Sequence, residues 1–81
     1  MELVSVVIPC FNSGRTLKRA INSVKNQTWK NIEIIVVNDG SDDLFTLKEI
    51  NSFKDIILFN QINRGLPAAR NKGFELASGK F

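Results

Sequence analysis

Apolar residues arrive along this chain in short blocks separated by amphipathic stretches. Val4-Ser5-Val6-Val7-Ile8, then Ile32 to Val37, then Ile56 to Phe59 are rich in β-branched side chains and too short for helices, so each predicts a strand. Pro9 is expected to stop the first, because proline cannot continue a central ladder. Leu17, Ala20, Ile21 and Val24 then recur at helical spacing, predicting an amphipathic helix to about Asn26 with Asn12 or Ser13 as its N-cap. Leu44, Leu47 and Ile50 predict a shorter helix closed by Phe53. Leu66, Ala69, Gly73 and Leu76 or Ala77 predict another, ended by Gly79, with Lys80-Phe81 opening a further strand. Gly73 costs its helix about 1 kcal/mol relative to alanine, which points to a neighbour at close range. Trp29 is expected to fold over the sheet before Ile32 opens the central strand.

The densest part of the pattern is Ile34-Ile35-Val36-Val37 followed by Asn38-Asp39-Gly40-Ser41-Asp42-Asp43. An unbroken β-branched run suits a strand buried on both faces of a parallel sheet, and the polar cluster after it is a turn. The order βαβαβα, with connections long enough for right-handed crossovers, predicts an α/β fold of three layers with a Rossmann-like parallel sheet. The turns after the strands, Pro9 to Asn12, Asn38 to Ser41 and Asn63 to Gly65, then meet at one sheet edge. Open α/β folds bind their ligands at that carboxyl edge.

Eighty-one residues make one domain at most, burying only about 60% of the unfolded surface, so stability is expected to be marginal. An apolar fraction of 43% is that of an ordinary globular chain, and no apolar run approaches the ~20 residues of a membrane span. Met1-Glu2 leads straight into a strand without a signal region, which makes the cytoplasm the expected compartment. With no histidine, a Ser–His or Cys–His pair and a His-ligated metal are excluded within the chain. Cys10, the single cysteine, reads as a small strand-end hydrophobe, and Asn26-Gln27-Thr28 as a sequon that a cytoplasmic chain would not use. The net charge of +3 comes mainly from Arg15, Lys18, Arg19, Lys25 and Lys30. Without interleaved aromatics they read as a solvated helix face, not a nucleic-acid surface.

The carboxyl edge carries a ring (Phe11), a carboxylate (Asp39), amides (Asn12, Asn38, Asn63) and a guanidinium on the third helix (Arg70). A flat ring beside a fixed acceptor suits a nucleobase, and helix N-termini nearby favour phosphate. The plainer reading makes Asp39 an Asx-turn residue, Ser41 or Asp42 a helix cap, Phe11 a core residue and Arg70 a surface partner of Glu75 or Asp39. Dinucleotide binding of the NAD type is disfavoured, because Pro9-Cys10-Phe11-Asn12-Ser13-Gly14 holds one glycine where G-x-G-x-x-G is needed. A Walker A sequence is absent, and the first strand end offers no acidic ligands for a phospho-accepting receiver.

Taken together, Val4-Ser5-Val6-Val7-Ile8-Pro9-Cys10-Phe11-Asn12, Gln27-Thr28-Trp29, Glu33 to Ser41, Asn63-Arg64-Gly65, Ala69-Arg70-Asn71, Gly73 and Gly79-Lys80-Phe81 resemble the N-terminal half of the family 2 glycosyltransferases of GT-A fold. The resemblance implies a truncated GT-A fold, with residues 1–81 a single partial domain that binds the nucleotide-sugar donor. It assigns Pro9 and Phe11 to the nucleotide's base, Asp39 to a contact with that base and Arg70 to the same pocket, with Asn12 beside them. Phe11 stands where the family often has tyrosine, keeping the stacking face and losing the hydroxyl. The family's D-x-D metal site lies beyond Phe81 and its catalytic base further on. No catalytic or metal-binding residue is therefore expected here, although the parent enzyme is expected to need Mn or Mg. Asp42 and Asp43 suit a helix N-terminus.

The function implied is part of an inverting, UDP-preferring glycosyltransferase, cytoplasmic or at the inner face of a membrane, with the chain itself binding nucleotide weakly and not catalysing. A non-catalytic nucleotide- or phosphate-binding module and a self-associating structural unit remain the alternatives. Because the strand that pairs with Val4 to Ile8 in the GT-A fold is only begun here, an open edge is expected, and with it a homo-oligomer.

Overall fold

The computed structural model describes residues 3–27 and 31–79. Its elements alternate as β1 (Val4–Cys10), α1 (Gly14–Lys25), β2 (Ile32–Asp39), α2 (Leu44–Ser52), β3 (Ile57–Gln61) and α3 (Leu66–Leu76). The strands are all parallel in the order β1-β2-β3, with Val6 opposite Ile34 and Val37 opposite Phe59. Successive β2 side chains go to opposite faces. Ile34 and Val36 join Cys10, Leu17, Ile21 and Ile50 under α1 and α2, while Ile35 and Val37 pack with Ala69 under α3. The result is three layers, helices on both faces of a Rossmann-like sheet, consistent with the first part of a GT-A fold. Full burial of each such aliphatic side chain stabilises the fold by about 1.5–3 kcal/mol, so β2 is the thermodynamic centre of the domain.

Several local expectations are corrected. β1 runs through Pro9 to Cys10, in register with Val37 and Asn38. Among the described residues it pairs on one side only, and an edge strand tolerates the missing N–H. The N-cap of α2 is Asp43, whose carboxylate accepts the Thr46 N–H, rather than Ser41 or Asp42. Starting there turns Thr46 and Ile50 inward and leaves Leu44 75% exposed. Helix α3 stops at Leu76, with Ala77 as its C-cap, before reaching Gly79. Gly73 is buried against Val7, as its place in a helix predicted. Trp29, Lys30, Lys80 and Phe81 lie outside the described residues. No helix among those described is long and apolar enough to cross a membrane.

Candidate functional site

The three turns do meet at the carboxyl edge of the sheet, and a network of amides and carboxylates joins them. Gly40 takes a left-handed φ of 72°, and a Cβ there would lie 2.7 Å from the Asn63 nitrogen. Only a glycine fits this contact between the second and third turns. Asn38 makes the Asx-turn: its Oδ1 accepts the Ser41 N–H at 3.0 Å and its Nδ2 donates to Asn60 Oδ1 at 3.0 Å.

Asp39 points the other way, onto the α3 face, and is 0% exposed. Its Oδ1 accepts Gln61 Nε2 at 2.9 Å and the Arg64 N–H at 2.8 Å, and its Oδ2 accepts the Gly65 N–H at 2.9 Å. The Gln61 amide, working against burial and helped by the Arg64 and Gly65 backbone, holds the carboxyl below its ordinary range. Gly65 is the N-cap of α3, so this carboxylate sits at a helix amino terminus, where the dipole favours an anion. Asp39 thus ties the end of β2 to the start of α3.

Asn12 does the same between the first two turns. Its N–H donates to Ser41 Oγ at 3.0 Å and its Nδ2 to Asp42 Oδ1 at 2.9 Å, while its Oδ1 accepts the N–H groups of Asp42 (2.9 Å) and Asp43 (3.1 Å). It holds a φ of 49°, a left-handed conformation that asparagine tolerates better than most residues. Behind it, Thr46 Oγ1 accepts the Gly14 N–H at 2.9 Å and donates to Asp43 Oδ2 at 2.6 Å, linking α1 to α2. The Thr46 hydroxyl, followed by the Thr46 N–H, lowers the Asp43 pKa.

Of the remaining candidates, Pro9 is half-buried at the end of β1, Phe11 is 41% exposed just beyond it, and Arg70 is exposed on α3. Glu75 pairs with Lys72 at 3.3 Å, and no ion pair among the described residues includes Arg70. A cavity of about 440 Å³ opens at the amino end of α1 beside Asn12, Gly14, Arg15 and Asp43, and one of about 560 Å³ runs between β3 and α3. Neither is lined by Phe11 or Arg70.

The sequence model of glycosyl transferase family 2 matches residues 5–81. The chain belongs to that family. It is 39% identical over 83 residues to an uncharacterized glycosyltransferase of Escherichia coli K12, YibD, covering 96% of this chain and 24% of that protein. It is 42% identical over 83 residues to the glycosyltransferase GlyA of Streptococcus pneumoniae, covering 99% of this chain and 12% of that protein. With the cholesterol galactosyltransferase of Borreliella burgdorferi the identity is 43% over 81 residues, covering 96% and 23%. The chain therefore spans from 12% to 24% of the length of these three relatives.

A divalent cation, expected for the parent enzyme, does not fit the carboxylates of this family 2 chain. Both oxygens of Asp39 face N–H donors, and Asp42 and Asp43, each with one oxygen engaged by Asn12 or Thr46, keep one oxygen apiece, too few to hold by themselves a cation that takes about six or more oxygen ligands. Among the described residues no group of three or more Cys, Asp or Glu side chains is placed to hold a metal. Gln61, Thr46 and the Ser5–Glu33 pair were missed in the sequence. For Gln61 a signal existed, since in-register parallel strands set it directly beside Asp39.

Proposed function

We propose that this chain forms the donor-nucleotide platform of a nucleotide-sugar-dependent, inverting glycosyltransferase that prefers UDP-sugars. The observation that supports the reading most is the exposed Phe11 ring, standing at a sheet edge whose turns are braced by Asn12 and Asp39. Stacking a base on an aromatic face is worth about 1–3 kcal/mol. Pro9 fixes the backbone just before that ring, and Arg70 supplies a cation that no described carboxylate neutralises.

In this reading Phe11, Pro9 and Arg70 meet the nucleotide, while Asn12 and Asp39 hold the loops that present them. Transfer itself, the attack of an acceptor hydroxyl on the sugar's anomeric carbon with departure of the nucleoside diphosphate, would need groups from the rest of a longer protein. A divalent cation would stabilise the leaving diphosphate there; none of the carboxylates described here would hold it. The chain alone binds without turning over.

Titrating ¹⁵N-labelled chain with UDP tests this. Shifts should cluster at residues 9–12 and on Arg70, with a dissociation constant in the millimolar range, about −4 kcal/mol. Shifts confined to β3 and the basic face of α1 would overturn the assignment.

A further inference from the structure

Strand β2 carries a carboxylate near each end, Glu33 and Asp39, and the two share the face on which α3 lies. Each is bonded to two successive backbone amides at one end of that helix. Asp39 takes Arg64 and Gly65 at the amino end. At the other end Glu33 Oε2 accepts the Ser78 N–H at 2.6 Å and the Gly79 N–H at 3.3 Å, along with the Ser5 hydroxyl. Ser5, only 2% exposed, also accepts the Gly79 N–H at 2.8 Å. A methyl at position 79 would overlap the Leu3 carbonyl oxygen, so the backbone is seated against β1 as closely as glycine permits.

The dipole explains only half of this. A carboxylate at the start of a helix is favoured, whereas Glu33 lies beyond the carboxyl end, where an anion is disfavoured. What compensates Glu33 is the set of donors it gathers from β1 and from residues 78 and 79, so it is a tether for the segment leaving α3. With Gly73 pressed on Val7 between the two tethers, α3 is fixed along the sheet at both ends and in the middle.

We propose that Glu33 is a positioning residue for the nucleotide platform: through Ser78 and Gly79 it sets the placement of α3 on β1 and β2, and thereby of Arg70 relative to Phe11. This rests on the reading above that Arg70 and Phe11 meet the nucleotide. Glu33 touches no substrate atom itself.

The test uses the 81-residue chain and UDP. Glu33→Gln keeps the shape and removes the charge. The Ser78 and Gly79 amide resonances should move, and the residual dipolar couplings of α3 should change relative to those of β2. UDP affinity should fall on the order of three- to tenfold, and that loss should vanish in an Arg70→Ala background. Unchanged α3 couplings, or an equal proportional loss with Arg70→Ala, would overturn the proposal while leaving nucleotide binding intact. An unsubstituted chain that does not bind UDP at all defeats the nucleotide reading, and this proposal with it. Should Glu33→Gln fail to fold, Ser5→Ala should shift the same amides in the same sense. In the unsubstituted chain the Ser78 and Gly79 amides should titrate together with the Glu33 carboxyl; amides that ignore its titration count against the tether.

Discussion

Gly73 and Val7 touch across the α3–β1 interface with no room for a methyl group between them. Alanine at 73 would gain about 1 kcal/mol in helix propensity, but overpacking a seated contact costs about 1–3 kcal/mol, and here the obstacle is a β-branched side chain on a paired strand. Gly73→Ala should therefore lower the denaturant midpoint. Val7→Ala should recover much of the loss in the double variant, giving a non-additive cycle. Two additive effects would show that α3 does not bear on Val7.

A close approach at Gly73, though not its partner Val7, was legible from residue types, and so was the order of the elements, because both follow from local rules. β-branched runs make strands, spacing makes helices, and a glycine inside a helix needs a reason. Less legible was the division of labour between Asn38 and Asp39, since either residue forms Asx-turns. The pleat decides it: 39 shares the α3 face with 35 and 37, so its side chain goes inward and Asn38 is left to make the turn. Leu44 fails for a similar reason, because placing the cap at Asp43 fixes which side chains of α2 face in. Pro9 depends on a non-local fact, that β1 has one paired side among the described residues.

Thr46 is 0% exposed and its hydroxyl serves two partners, the Gly14 N–H and the Asp43 carboxylate. Thr46→Val keeps the volume and leaves a buried N–H unpaired, which costs about 1–3 kcal/mol. In a domain this small such a loss should lower the thermal midpoint clearly, with protection of the Gly14 amide against hydrogen exchange reduced more than that of Ile35. Equal loss at both sites would mean that the hydroxyl carries no local role.

Glu33, Asp39 and Asp43 all have folded-state pKa values below their ordinary ones, chiefly through the Ser5, Gln61 and Thr46 side chains respectively. A depressed pKa contributes stability that is present above the unfolded-state value and disappears as pH falls through the folded one. Unfolding free energy should thus be flat from neutral to weakly acid pH and fall below the ordinary carboxylate range. With no histidine, nothing from that residue adds a step between about pH 6 and 7. Glu33→Gln should shallow the acid slope; an unchanged slope would remove Glu33 from the acid response.

On the side away from β2, the uncharged strand Val4–Cys10 has no partner strand among the described residues, and Gly79 lies against its start, at Leu3 and Ser5. An exposed, charge-free edge invites pairing with a second copy. Sedimentation across a concentration series should show reversible association that Val6→Lys weakens. A chain that stays monomeric at every concentration would show that this edge is shielded.

Phe11 and Asp39 should separate binding from stability. Phe11 is 41% exposed, so Phe11→Ala removes a stacking face while leaving the core untouched. UDP affinity should fall by roughly five- to 150-fold, the equivalent of the 1–3 kcal/mol that a base–aromatic stack is worth, with the thermal midpoint unchanged. Asp39→Asn should behave in the opposite way. Its carboxylate meets three N–H donors spread over both oxygens, and an amide offers only one oxygen to them. At least one donor would then face an NH₂ group in a buried site, where unmatched polar groups are costly. The thermal midpoint should drop by several degrees, and the Arg64 and Gly65 amides should lose exchange protection first. UDP binding should weaken only as far as the third turn loosens. If Asp39→Asn instead abolished UDP binding at an unchanged midpoint, its carboxylate would be a direct contact to the base, and the division of roles drawn here between Phe11 and Asp39 would be wrong.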